Sequence, residues 1–128
     1  MDPFDEVYTS ALRAWAAQHL NVAGDADVGV KISLRAHHRF FVTPGVDAKV
    51  KLAHAEACLA RHLLGDWGLL DEEDQAVTDH RARNDGQVLS SWPINAEDSN
   101  AVGYVDRCFY IITAPDRAST TIVLAEEY

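Results

Sequence analysis

The pattern of apolar positions in the first third of the chain predicts one helix followed by a β-hairpin. Asp2-Pro3 combines a capping side chain with proline at the first helical position. Apolar residues then recur three and four positions apart, as on one buried helical face, at Phe4, Val7, Tyr8, Ala11, Leu12 and Trp15. Segment Val28–Leu34 alternates apolar with small or polar residues, which predicts a strand, and Arg39–Val42 is a second β-prone run. The short link between these runs favours a hairpin.

Two further helices are predicted in the middle of the chain. Thr43-Pro44 repeats the cap-and-proline signature, and Gly65 is a natural residue to end the helix that follows. Asp71 caps a third, polar helix, which ends at Asn84–Gly86. The second helix is predicted to bury the stripe Val46, Val50, Ala53, Ala57, Ala60 and Leu64, widened by Leu52, Leu59 and Leu63.

Three strands are predicted in the last third, at Gln87–Trp92, Tyr104–Thr113 and Thr120–Leu124. The last two are joined by the turn Ala114–Arg117, and strands joined by short turns pair antiparallel. We therefore expect one α+β domain over residues 1–128. Its antiparallel sheet would combine the N-terminal hairpin with the three C-terminal strands, packed by about three helices.

The second half of the chain carries four local motifs in a fixed order. They are an H-x-x-G-D-W-G turn, a short acidic helix, an LS-x-aromatic strand and a closing IIT-x-x-DR-x-x-TTI-x-L-x-x-EY hairpin. The residues concerned are His62, Gly65–Gly68, Leu89–Trp92, Ile111–Thr113, Asp116–Arg117, Thr120–Ile122, Leu124 and Glu127–Tyr128. This set resembles a family of small proteins encoded on bacterial plasmids and phages. The resemblance implies the order of elements but brings no biochemical role, and the first half of the chain matches poorly.

Composition and charge narrow the function. The 128-residue chain is 48% hydrophobic with a net charge of −9, as expected of a globular domain. No apolar run is long enough to span a bilayer, and the acidic N-terminus lacks the apolar region of a signal peptide, so we expect a cytoplasmic protein without membrane contact. The two cysteines, Cys58 and Cys108, are interpreted as reduced, buried thiols.

Two sets of residues could carry chemistry. His62, Asp66 and Arg117 are candidate catalytic residues for a small ribonuclease-like toxin or a metal-assisted hydrolase, although Gly65–Gly68 also makes sense as a turn alone. His54, Cys58 and His62 are spaced four apart on one helix, where two neighbours can chelate a metal ion. All three span about 12 Å along the helix, too far for one ion. We therefore predict no metal and no cofactor.

The favoured hypothesis is an acidic, non-catalytic interaction protein of a mobile genetic element. The charge argues against direct nucleic-acid binding and favours a protein partner with a basic or DNA-binding surface, although solubility alone also explains it. An inhibitor of a DNA-binding host defence complex is one specific version. A homodimer formed through an uncovered sheet face is a further alternative. The candidate binding residues are Trp67, Glu72, Glu73, Asp74, Glu97, Asp98, Glu126 and Glu127.

Overall fold

The computed structural model describes residues 38–128, so the predicted first helix and the strand at Val28–Leu34 lie outside the described residues. None of the helices within this range is long and apolar enough to cross a membrane. The helices are α1 (Pro44–Lys49), α2 (Leu52–Leu63) and α3 (Glu72–Arg83), and the strands are β1 (Arg39–Val42), β2 (Val88–Pro93), β3 (Cys108–Thr113) and β4 (Ser119–Leu124). Short 3-10 turns occupy Val105–Arg107 and Ala125–Glu127.

The four strands form one mixed sheet in the order β1-β4-β3-β2. Strands β2, β3 and β4 pair antiparallel as predicted, and the α+β class is confirmed. Strand β1 corrects the prediction of a wholly antiparallel sheet, because it pairs parallel with β4 from Arg39↔Ser119 to Val42↔Ile122. Parallel strands need a long crossover connection. The connection from β1 to β4 is long enough, because it contains three helices and two strands.

The core lies between one face of the sheet and the helices. Every second strand residue contributes to it, including Phe40, Phe109, Ile111 and Ile122, all of which are fully buried. Helix α2 lies over this face with Leu59 and Leu63 in the same cluster as the strand residues, whereas α3 adds only the partly buried Ala82. Cys58 and Cys108 are buried, unpaired thiols.

The prediction of one long second helix is wrong, because the chain leaves the helical conformation at Val50–Lys51 and forms two helices, α1 and α2. Thr43 caps α1 as expected, accepting from Val46 N at 3.3 Å, but Val50 has extended backbone angles and is buried. The break turns a different face of α2 inward. The predicted Ala53 and Ala57 are exposed, and the buried positions are instead Ala55, Cys58, Leu59, His62 and Leu63.

The predicted strand from Tyr104 is also shorter than expected, because β3 begins only at Cys108. Tyr104 donates its backbone N–H to Ala101 O at 3.0 Å, and Arg107 does the same to Tyr104 O at 3.0 Å. These hydrogen bonds within the turn replace the backbone hydrogen bonds that an extended segment would make with a neighbouring strand. The hydrophobic pattern alone does not distinguish the two conformations.

Candidate functional site

The turn after α2 is built by local rules. Gly65 has a φ of 88° and its N–H bonds His62 O, while Asp66 N bonds Arg61 O, so the helix ends in a Schellman motif. The Asp66 carboxylate accepts from Gly68 N and from Arg61 Nε, both at 2.9 Å. Both Asp66 oxygens therefore hold the turn and the end of the helix.

The rest of this turn attaches to β2. Ser91 exchanges backbone hydrogen bonds with Trp67 and Leu69, at 3.2 and 2.8 Å, which covers part of the edge of β2. Gly68 has a φ of 68°, and a Cβ there would lie 2.1 Å from Ser91 O, so only glycine fits. Trp67, predicted as a binding residue, is instead buried, and its indole N–H donates to Asp79 Oδ1 on α3 at 2.6 Å.

His62 is fully buried beneath this turn, between two strand hydroxyls. Its Nδ1 lies 2.7 Å from Ser90 Oγ, and its Nε2 lies 2.9 Å from Thr113 Oγ1. The Trp67 ring packs edge-on against it at 5.6 Å. Ser90 Oγ also accepts the indole N–H of Trp92 at 2.6 Å.

The hydrogen bonds continue from Thr113 across the sheet. Thr113 and Thr120 are register partners on β3 and β4, and their hydroxyl oxygens lie 2.8 Å apart. Thr120 Oγ1 is 2.8 Å from His38 Nε2, and His38 Nδ1 meets the carbonyl of Arg117. We call this series the buried hydrogen-bond chain: Trp92, Ser90, His62, Thr113, Thr120, His38 and the Arg117 carbonyl.

The two ends of the buried hydrogen-bond chain fix its direction. The Trp92 indole N–H can only donate, and the Arg117 carbonyl can only accept. If every donor and acceptor between these ends were exchanged, the Ser90 hydroxyl would accept from His62 and would have no acceptor for its own hydrogen among residues 38–128. The lone pair of His38 Nδ1 would then face the carbonyl oxygen of Arg117. His62 is therefore the neutral Nε2–H tautomer, and His38 carries its proton on Nδ1.

Burial has a large effect on His62. The pKa of this imidazole is lowered from 6.5 to about 3, mainly because burial penalises the charged ring and secondarily because Arg117 and His38 lie nearby. The ring stays neutral at every physiological pH. It accepts from Ser90 and donates to Thr113, so neither nitrogen is available to a substrate.

The Ser90–His62 pair has the distance of a nucleophile and its base. No pattern in the sequence predicts this partner for Ser90. Both residues have no exposed surface, so a substrate carbonyl or phosphate has no approach to Ser90 Oγ. The buried hydrogen-bond chain also ends on an indole and a carbonyl, which do not exchange protons during catalysis. The arrangement satisfies buried polar groups rather than relaying protons.

Arg117 is a structural clamp between two turns and a helix end. Its guanidinium donates to Gly86 O at 2.7 Å and to Ala114 O at 3.0 Å, and lies 3.4 Å from the carbonyls of Arg81 and Ala82 at the end of α3. A cation at this helix end is favoured by the helix dipole. The guanidinium is therefore committed to backbone carbonyls.

The three candidate catalytic residues do not form an open site. His62 and Arg117 are buried, and Asp66 lies at the turn with its carboxylate engaged by Arg61 and Gly68. Four surface cavities are lined by described residues, and none of the three candidates lines any of these four.

The candidate metal ligands also separate. His54 and Cys58 are neighbours, with Cys58 Sγ 3.7 Å from His54 Nδ1, but His54 Nε2 is held 2.7 Å from Pro93 O. His62 faces the strand hydroxyls instead. The pKa of Cys58 is raised to about 12, chiefly by burial, which disfavours a thiolate ligand. Within residues 38–128, no three His, Cys, Asp or Glu side chains lie close enough together to hold a metal ion.

The acidic candidates gather toward one end of the sheet. Leu69, just before α3, packs against the small cluster of Ala101, Cys108 and Ala125, and Asp74 of α3 lines a surface cavity together with Tyr128. The 3-10 turns Val105–Arg107 and Ala125–Glu127 contact each other. We call this region the acidic end, with carboxylates Asp71, Glu72, Glu73, Asp74, Glu97, Asp98, Asp106, Glu126 and Glu127.

Cations at the acidic end are fewer and mostly engaged. Lys49 bonds Glu126 at 3.0 Å, Arg107 bonds Asp98, and Lys51 lines a cavity with Glu97. Among residues 38–128, the opposite end of the sheet carries Arg39, Arg81, Arg83 and Arg117, with Asp85 and Asp116. Comparison with known proteins adds nothing to this geometry, since no protein-family model, curated protein or solved structure matches the chain.

Proposed function

We propose that the chain is a non-catalytic interaction protein that binds a protein partner with a basic surface. The observation that carries the proposal is the position of His62. The residue with the most catalytic potential has no exposed surface, and both of its nitrogens are bonded to hydroxyls. Arg117 is likewise committed to carbonyls.

The surface charge supports a basic partner. Glu72, Glu73, Glu97 and Asp106 are exposed carboxylates at the acidic end, and the overall net charge is −9. Complementary charge speeds encounter between two proteins and selects among partners. The resemblance to plasmid- and phage-encoded proteins supports a narrower version, an inhibitor that occupies the DNA-binding surface of a host defence complex.

The proposal is tested with the full chain as immobilised bait in a cell lysate. One variant, Glu97→Gln/Asp106→Asn, removes two charges at the acidic end. Its matched control, Asp85→Asn/Asp116→Asn, removes two charges at the other end. We expect a partner that wild type and control retain, that the first variant retains about tenfold more weakly, and that salt releases.

Three other results would be decisive. Equal retention by both variants, insensitive to salt, would contradict a charge-guided interaction. Failure of duplex DNA to displace the partner would remove the narrower version while leaving the broader one. Cleavage of cellular RNA by the purified chain, with nothing retained, would favour the ribonuclease-like alternative.

A further inference from the structure

The segment between β2 and β3, Ile94–Arg107, is a closed loop with its own internal support. Ile94 N donates to Arg107 O at 2.9 Å, which brings the two ends of the loop together. Ala101 is buried against the end of the sheet, and the Cys108 thiol donates to Ala101 O at 3.2 Å. A loop with adjacent ends and an internal anchor has the character of an Ω-loop, a type that is frequently functional.

The tip of the loop has a preset backbone. Ala101 to Tyr104 form a β-turn closed by Tyr104 N donating to Ala101 O, with Gly103 at the third position and a φ of 85°. A positive φ at this position is what a type II turn requires of glycine. A Cβ at Gly103 would meet nothing within 4 Å, so the turn projects into open space.

Arg107 supports the part of the loop that contains Tyr104 through contacts with both Asp98 and the Tyr104 ring. Its guanidinium donates two hydrogen bonds to the Asp98 carboxylate, one of 2.7 Å from Nε, and its Cζ lies 5.1 Å from the centre of the Tyr104 ring. Asp98 in turn accepts from Asn100 N at 3.0 Å. The hydrogen bond from Arg107 lowers the pKa of Asp98, so this carboxylate stays ionised.

Three large apolar side chains are exposed on this supported loop. Val102, Tyr104 and Val105 have exposed fractions of 60%, 55% and 56%. They lie within four consecutive residues, so their Cα atoms span at most about 11 Å. Single exposed apolar residues need no explanation, but a patch of three on a rigid loop is typical of a contact surface. An ordered aromatic ring is also the kind of anchor that loses little entropy on binding.

The charges beside the patch indicate what it contacts. Asp106 follows Val105 directly and is exposed, and the Val105–Arg107 turn contacts the C-terminal turn that carries Glu126 and Glu127. Lys49 forms an ion pair with Glu126 at 3.0 Å. An apolar patch within a field of carboxylates is complementary to an apolar cleft with a basic rim.

We propose that the Ile94–Arg107 loop is the principal contact of this protein, with Tyr104 and its two flanking valines entering an apolar cleft on a basic protein partner. This inference rests on the proposed function and specifies its contact surface. The nearby carboxylates guide the encounter, and the apolar side chains supply the affinity.

The test places a photoreactive phenylalanine analogue at Val102 of the full chain in living cells. The matched control carries it at Pro115, an exposed position beyond the other end of β3, about 20 Å away along the strand. We expect a protein adduct from position 102 and none from 115, with mass spectrometry identifying a partner that has a basic surface. Adding Tyr104→Ala should reduce the yield at least about tenfold, without changing the thermal unfolding midpoint by more than a few degrees.

The outcomes separate the two proposals. An adduct from 115 but not from 102 would overturn the loop contact and leave the proposed function standing. No protein adduct from either position would count against both. An adduct with a second copy of the chain, with an acidic protein or with a nuclease-sensitive nucleic acid would overturn the assignment of a basic protein partner.

Discussion

At the scale of single residues, His62 and Ser90 lie in the core with no exposed surface. His62 is neutral and engaged at both nitrogens, and the direction of the buried hydrogen-bond chain allows it only one tautomer. Ser90 and Thr113 each accept one hydrogen bond and donate one, so the polar atoms on either side of His62 are satisfied. A fully satisfied buried network favours one arrangement of the core over its alternatives.

Acid should destabilise the fold through His62. The folded pKa of about 3 lies below the unfolded value of 6.5, so the unfolded chain binds this proton more strongly. Stability is therefore full above pH 6.5 and falls as the pH drops from 6.5 toward 3. We expect a loss of about 2 kcal/mol between pH 7 and pH 5 in urea unfolding.

The matched measurement uses His62→Gln, which does not titrate in this range. Its free energy of unfolding should be lower at pH 7 but should change less between pH 7 and pH 5 than that of wild type. Equal pH dependence in the two proteins would show that His62 is not the group responsible.

Ser90 and Ser91 provide a comparison between two buried hydroxyls on one strand. Ser90→Ala leaves both the Trp92 indole and His62 Nδ1 without a partner, so we expect a loss of about 2–4 kcal/mol in the free energy of unfolding. Ser91→Ala, outside the buried hydrogen-bond chain, should cost less than about 1 kcal/mol. Equal losses in chemical denaturation would argue against a special role for Ser90.

Among the elements, those specified by local rules could be predicted from the sequence. The caps at Thr43 and Asp71 and the end of α2 at Gly65 depend on a few neighbouring residues, and they form as expected. The break at Val50–Lys51 depends instead on tertiary packing, because it lets Val50 reach the core. The sequence pattern predicted the wrong face of α2 for that reason, and the predicted buried stripe did not include His62, which is buried.

Longer-range pairing explains the other differences. The partners of His62 are 28 and 51 positions away, on β2 and β3, and no local pattern connects them. The 3-10 turn at Val105–Arg107 is held by the pairing of Arg107 with Asp98 across the loop. Parallel pairing of β1 with β4 likewise joins segments about 80 residues apart.

Two glycines with positive φ test the role of the turn after α2. Gly68→Ala meets both an unfavourable φ and a contact of 2.1 Å with Ser91 O, so we expect a loss of more than about 3 kcal/mol. Gly103→Ala has the same kind of backbone angle but open space around it, so its loss should be about 1–2 kcal/mol. Thermal unfolding midpoints in the reverse order would contradict this view of the turn.

At the scale of the whole molecule, the residues that the structure describes combine a buried network of polar side chains with a group of surface carboxylates at one end of the sheet. The buried hydrogen-bond chain takes two side chains from β2 and one each from α2, β3 and β4, and it reaches His38 just before β1, so it crosses the described sheet from β2 to the start of β1. Among residues 38–128, the exposed groups at the acidic end include carboxylates and the apolar side chains Val102, Tyr104 and Val105 of the Ile94–Arg107 loop. This division between interior and surface is consistent with the proposed interaction function.

The most direct test is nitrogen-15 NMR of the histidine rings in the folded protein between pH 8 and pH 5. We expect His62 to be the neutral Nε2–H tautomer throughout and, at pH 8, His38 to carry its proton on Nδ1, so that the two rings show opposite tautomers at that pH. A His62 ring that titrates near pH 6.5, or that shares the tautomer of His38, would show that the buried hydrogen-bond chain does not exist as described and would return His62 to the list of catalytic candidates.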